Sequence, residues 1–222
     1  MSQRPAPRGN RLLKFGAAAL AIAGLGQLSH THASSGPPQP ATAVIGSLPP
    51  NAAAAAPSAA AVADLPYAVP THIDIPAVNL HAGIIPVDLG ADGSIGTPPL
   101  SNAKVAGWYD RDPTPGQRGA SIIDAHVDSA LLKDYRGAFY YLGLVKPGMQ
   151  VQVTRADRTV AVFTVDEVQV VLKTSFPTAK VYTQTPYPTL RLITCGGAYD
   201  YKTHEYLGNT IVYAHLTTTH TA

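Results

Sequence analysis

Beyond residue 66 the apolar residues of this chain come in short runs that proline, glycine and aspartate cut off, and this punctuation restricts the fold more than any other feature. Ile73-Asp74-Ile75-Pro76 and Gly83-Ile84-Ile85-Pro86-Val87 are alternating or apolar stretches interrupted by proline, and Ala91-Asp92-Gly93-Ser94 reads as a tight turn. Residues 120–125, 150–155, 161–172, 190–194 and 209–215 have the same strand character. Asp157-Arg158 predicts a hairpin joining Val151-Gln152-Val153-Thr154 to the long run that begins at Val160. No stretch after residue 66 sustains a helical period for more than about two turns. A mostly β domain follows, its largely antiparallel sheet closed into a barrel, with short helices in the connections around 99–105 and 138–142.

The first 66 residues are of a different kind. Arg4, Arg8, Arg11 and Lys14, with no acidic residue among them, precede the apolar run from Phe15 to Leu28. That is the order of an export signal, and Thr31-His32-Ala33 offers a small-residue cleavage pattern. Residues 1–33 are therefore expected to be an export signal or an uncleaved membrane anchor, and the protein to be exported, membrane-anchored or wall-associated. Residues 34–66 are rich in alanine, proline and serine, including Pro49-Pro50 and an alanine run at 52–56, and cannot bury enough apolar surface to offset their ordering entropy. They read as a disordered linker before one folded domain at 67–217 and a tail at 218–222. Charged residues make up 14% of the chain with a net charge of +2, which excludes the basic stripe of a nucleic-acid binder.

The chain has one cysteine, Cys195, so no internal disulfide is available to it. It ends the run Thr189-Leu190-Arg191-Leu192-Ile193-Thr194 and precedes Gly196-Gly197, which places a thiol at a strand end. In an exported chain such a thiol is a liability or a nucleophile, and a nucleophile needs a base beside it because little of an ordinary thiol is ionised at neutral pH. Of the eight histidines, His30 and His32 lie in the export region, His220 in the tail, and His72 and His81 beside the first strands. His126 closes the strand-like run Gly119-Ala120-Ser121-Ile122-Ile123-Asp124-Ala125, so it too occupies a strand end. Two strand ends on one barrel rim bring imidazole and thiol together. With one cysteine and scattered histidines there is no metal-ligand spacing, so no metal and no cofactor is expected.

The succession Gly107-Trp108-Tyr109, Pro115-Gly116, Ile122-Ile123-Asp124-Ala125-His126-Val127-Asp128-Ser129, Leu190-Arg191-Leu192-Ile193-Thr194-Cys195-Gly196-Gly197 and Asn209-Thr210-Ile211-Val212-Tyr213-Ala214 resembles a sortase, most of all the class F sortases of actinobacteria. The resemblance covers residues 67–216. It implies an eight-stranded β-barrel and an extracytoplasmic cysteine transpeptidase, a class of enzyme that cleaves a Leu-Pro-x-Thr-Gly-like sorting signal after its threonine and joins the new carboxyl to a cell-wall amine. Carried over residue by residue, Cys195 is the nucleophile that holds the acyl group as a thioester, and His126 is the proton donor and acceptor. The implied partners are a sorting-signal peptide of exported proteins, a peptidoglycan precursor amine and, if the N-terminal segment is uncleaved, the membrane.

Two departures accompany the resemblance. The family's arginine on the strand after the cysteine is replaced, since Tyr206-Leu207-Gly208-Asn209 sets Leu207 in its place. Either another arginine serves, Arg191 being nearest in sequence and on the same strand face as Cys195, or backbone amides near Gly196 hold the oxyanion alone, or the protein is degenerate. Ala125 stands where the family more often has glycine, which reaches positive φ without penalty. The alternative function is a catalytically weak sortase-like module that binds sorting-signal peptides. Trp108, Tyr109 and Phe139-Tyr140-Tyr141 read as packing residues, and Asp128-Ser129 either tunes His126 or caps a turn.

Overall fold

A computed structural model describes residues 36–40, 62–90 and 93–222. The apolar run at 15–28 and most of the expected linker lie outside these residues. Eight strands form the domain: β1 Pro70–Ile75, β2 Leu80–Val87, β3 Ala106–Tyr109, β4 Gly119–Asp124, β5 Gln150–Arg155, β6 Thr159–Leu172, β7 Pro188–Asp200 and β8 Glu205–Thr221. They close in the order β1-β2-β3-β4-β7-β8-β6-β5, and β1 pairs with β5 to complete the barrel. Two of the pairings, β2 with β3 and β4 with β7, are parallel; the others are antiparallel.

Alternation along the strands fills the barrel. Ile73 and Ile75 of β1, Leu80, Ala82 and Ile84 of β2, Val151 and Val153 of β5, and Ala161, Phe163 and Val165 of β6 point inward. They meet Leu190 and Leu192 of β7 and Val212, Ala214 and Leu216 of β8. Trp108 is buried in this interior, with its indole N–H donating to Pro113 O at 3.3 Å, and Phe139 packs fully buried beside it. The β5–β6 turn is the expected hairpin: Arg158 adopts φ 66 and Thr159 N–H donates to the Asp157 carboxylate at 3.0 Å.

Residues 100–102 and 142–144 form 3-10 turns within or beside the predicted helical connections. One α-helix, α1 Thr178–Tyr182, lies between β6 and β7. With the 3-10 turn Lys173–Ser175 it accompanies a second apolar cluster outside the barrel, where Val181 packs with Ile122, Ile211 and Tyr213. The C-terminal residues expected as a tail continue β8, since Thr218–Thr221 pair with Thr159–Val162. Two segments from the linker region also touch the barrel. Leu65 N–H donates to Gly116 O at 2.8 Å, and Gln39 accepts at 2.8 Å from the N–H of Gly197, a residue whose φ of 76 favours glycine. No helix of the described residues is long and apolar enough to cross a membrane.

Phe163 is fully buried where β5, β6 and β8 meet. Phe163→Ala is expected to destabilise the domain by about 3–5 kcal/mol, read as a lowered urea midpoint in equilibrium unfolding.

Candidate active site

β4 and β7 run parallel in register from Gly119↔Pro188 to Asp124↔Ile193. The pairing continues one step further: Ala125 N–H donates to Ile193 O at 3.2 Å, and the Thr194 hydroxyl donates to Ala125 O at 2.7 Å. His126 and Cys195 each come two residues after the last register pair, so they stand at the same level; His126 has left β4, but Cys195 lies inside β7, which pairs with β8 on to Asp200 and does not end at the thiol as expected. Their faces also agree. Ile123 and Ala125 point into the barrel on β4, as do Leu190 and Leu192 on β7. The intervening positions, including Ile122 and Ile193, face the outer apolar cluster. By the same alternation His126 and Cys195 belong to that outer face.

His126 is half-buried, and its Nε2 lies 2.6 Å from Pro98 O. A carbonyl only accepts, so Nε2 carries the proton of that bond and Nδ1 is the nitrogen left for exchange. The loop that follows returns beneath the histidine. Phe139 N–H donates to His126 O at 3.1 Å, and a Cβ on Gly137 would come within 2.1 Å of that same oxygen, so only glycine permits the approach. Asp128 accepts the hydroxyl of Tyr206, while Ser129 Oγ accepts from Leu131 N–H at 3.2 Å and donates to Leu100 O at 3.2 Å. Ser129 therefore has the turn-capping role, and Asp128 ties the histidine loop to β8. Ala125 has no positive φ; its backbone is held in the β4–β7 ladder and needs no glycine.

Cys195 is partly buried and pairs across β8 with Asn209, whose side-chain amide donates to Thr194 O at 3.3 Å. Burial pushes its thiol above the ordinary range; Lys173 opposes this, and Asp128, Asp124 and Glu205 add to it. Near neutral pH the sulfur is a protonated thiol. Asp124, behind the site, is almost fully buried with Oδ1 unpartnered, and burial pushes its carboxyl up to about 8.

The missing arginine has no replacement in Arg191. That residue does share the face of Cys195, as alternation requires, but it lies four residues upstream, roughly 13 Å along an extended strand. It is buried to 7% exposure, with its guanidinium 5.0 Å from the Tyr213 ring centre and Nη1 donating to Leu190 O. Leu207 is 44% exposed and shares its face with Asn209 by alternation along β8. A cavity of about 480 Å³, lined among others by Gln39, Pro40, Val145, Asp166 and Val168, opens elsewhere and is not lined by either Cys195 or His126.

The family profile described as Sortase domain matches residues 73–217. Among solved structures, sortase A of Listeria monocytogenes is similar at TM-score 0.52 and 19% identity, covering 70% of this chain and 92% of that one. A lid mutant of Corynebacterium diphtheriae sortase A is similar at 0.51 and 21% identity, covering 68% and 70% respectively. Sortase C1 of Streptococcus agalactiae is similar at 0.51 and 18%, covering 67% of each chain. No curated protein matches the chain.

Two outcomes are expected. The raised thiol makes alkylation of Cys195 by iodoacetamide at pH 7 slower than that of free cysteine, with a rate still climbing above pH 9; stopped time points by intact mass give both. For Asp124, the folded value of about 8 exceeds the ordinary 3.8, so the folded state holds the extra proton and stability falls as pH rises between those values. Asp112, pushed up to about 6 by burial, adds the same slope at lower pH. Above that, between pH 6.5 and 8, Asp124→Asn is expected to flatten the decline of Tm.

Proposed function

The chain belongs to the sortase family of cysteine transpeptidases, and on that premise we propose that it is a class F-like sortase using Cys195 and His126. The observation that supports this most directly is the parallel β4–β7 ladder, which delivers both residues to one rim and one face. The Cys195 thiol loses its proton to His126 Nδ1 as sulfur attacks the threonine carbonyl of a Leu-Pro-x-Thr-Gly-like signal. The carbonyl electron pair moves to oxygen, then returns to expel the glycine amine, which leaves with the proton from His126. An acyl thioester on Cys195 remains. The incoming cell-wall amine gives a proton to His126 and attacks the thioester, and the thiol is restored. A thiol raised by burial suits a base that acts as the sulfur attacks.

Beside the site Ile122, Ile211 and Val181 are fully buried against one another, so of this apolar cluster Ile193 is the member left partly accessible next to Cys195. Residues 1–33 would serve as export signal or anchor, placing the domain at the outer membrane face or in the wall, where its clients and acceptor amine reside. A second reading, a peptide-binding module with weak turnover, draws on Leu207, whose side chain donates no hydrogen bond.

Incubation with a sorting-signal peptide is expected to give an intact-mass adduct equal to the acyl fragment, absent in Cys195→Ala. His126→Ala is expected to slow adduct formation by about 10²–10⁴-fold. Peptide bound without adduct or cleavage over a long incubation would decide for the binding module.

A further inference from the structure

Leu207 leaves the rim beside Cys195 without the family's guanidinium, yet the neighbouring strand brings a different cation to that place. β6 and β8 pair through Val170↔Thr210, Val171↔Asn209 and Leu172↔Gly208. The ladder ends at that pair, and Lys173 follows it at the level of Leu207, as the first residue of a 3-10 turn, with its Nζ directed to Glu205 of β8. Residues opposite one another across an antiparallel pair share a face. Leu207 shares its own face with Asn209, and Asn209 pairs with Cys195. Lys173, Leu207 and Cys195 thus lie near one another on consecutive elements, just past the end of β6 and within β8 and β7, on one side of the sheet. Lysine and cysteine are separated by two strand spacings and a two-residue step along the strands, roughly 12 Å between backbones, a gap that the four-carbon lysine stem and a substrate carbonyl fill between them.

Nothing holds the ammonium firmly elsewhere. Its Nζ lies 3.6 Å from Glu205 Oε2, with side-chain exposures of 42% and 66%, a loose solvated pair of little energetic weight. Lys173 also opens the 3-10 turn where β6 ends, so its backbone is released from the ladder just as it reaches the rim. Its charge reaches the sulfur: among the described residues, Lys173 is the cation that opposes the upward shift of the Cys195 thiol, against Asp128, Asp124 and Glu205, and no arginine is among these groups.

We infer that Lys173 is the oxyanion cation of this site, its ammonium donating to the acyl oxygen on Cys195 from the strand beside the one that ordinarily supplies an arginine. The inference rests on the transpeptidase reading above. As sulfur adds to the carbonyl, the electron pair displaced onto oxygen is met by an N–H of Lys173, which stays protonated throughout; the proton traffic remains with His126. A lysine is a single mobile point charge rather than a planar fork, so it stabilises the oxyanion without fixing the peptide bidentately.

The test uses the full chain and its Lys173→Met, Lys173→Arg and Lys173→Met/Leu207→Arg variants, each confirmed folded by its Tm. With a sorting-signal peptide, Lys173→Met is expected to lose about 10²–10³-fold in kcat. Lys173→Arg should keep most of the activity, and Leu207→Arg should restore part of what Lys173→Met removes. A Lys173→Met enzyme within about threefold of the parent overturns the inference. An activity-free arm compares alkylation of Cys195 by anionic iodoacetate and neutral iodoacetamide at low salt. The parent is expected to favour iodoacetate by about two- to fivefold more than Lys173→Met does; an unchanged ratio overturns the placement of Lys173 whether or not any peptide is cleaved. A parent that shows the ratio change but never forms an acyl adduct overturns the transpeptidase reading instead, and with it the oxyanion role.

Discussion

The parallel pairing of β4 with β7, which brings the residue after the end of β4 level with a residue inside β7, is the constraint on which the rest of this site depends. Had the two strands been antiparallel, the residues following them would leave from opposite ends of the barrel. The parallel arrangement requires a long excursion between them, and the chain uses it to build β5, β6 and α1. The bond from Thr194 to Ala125 O then carries the ladder past the last strand pair and fixes the spacing of the two ends. Rigid backbone, rather than a contact between side chains, is what gives His126 and Cys195 a common position.

Charge around the sulfur is organised by what burial allows. Asp124, Asp128 and Glu205 all disfavour a thiolate, and Lys173 is their counterweight. Burial pushes the Asp124 carboxyl up to about 8, and Asp128 accepts the Tyr206 hydroxyl.

Much of this was legible in the sequence, for physical reasons that also mark where legibility stops. The runs leading to Ala125 and Cys195 are continuous and apolar because both sides of these strands are covered, but Gly196-Gly197, read as the end of the second, gives a bulge within β7 instead. Which strands pair is not written in periodicity, so the parallel partnership had to come from the structure. β3 escaped notice because four residues with a glycine among them give no pattern. Alternation put Arg191 on the correct face but says nothing of distance along the strand, and Tyr213, directly across in register, claims the guanidinium. Lys173 was hidden for the opposite reason: its relevance comes from a register between two strands far apart in sequence. The Gln39 contact with Gly197 was likewise invisible, since a single amide in a proline-rich stretch leaves no compositional trace.

The partial burial of Cys195 has a redox consequence. The thiolate is the form that attacks peroxides and disulfides, so a sulfur held as thiol reacts slowly with them and accumulates sulfenic acid slowly. Once oxidised, however, it has no second cysteine in the chain with which to condense. The same burial thus lengthens the thiol's lifetime among oxidants, and recovery from damage falls to thiols supplied from outside the protein.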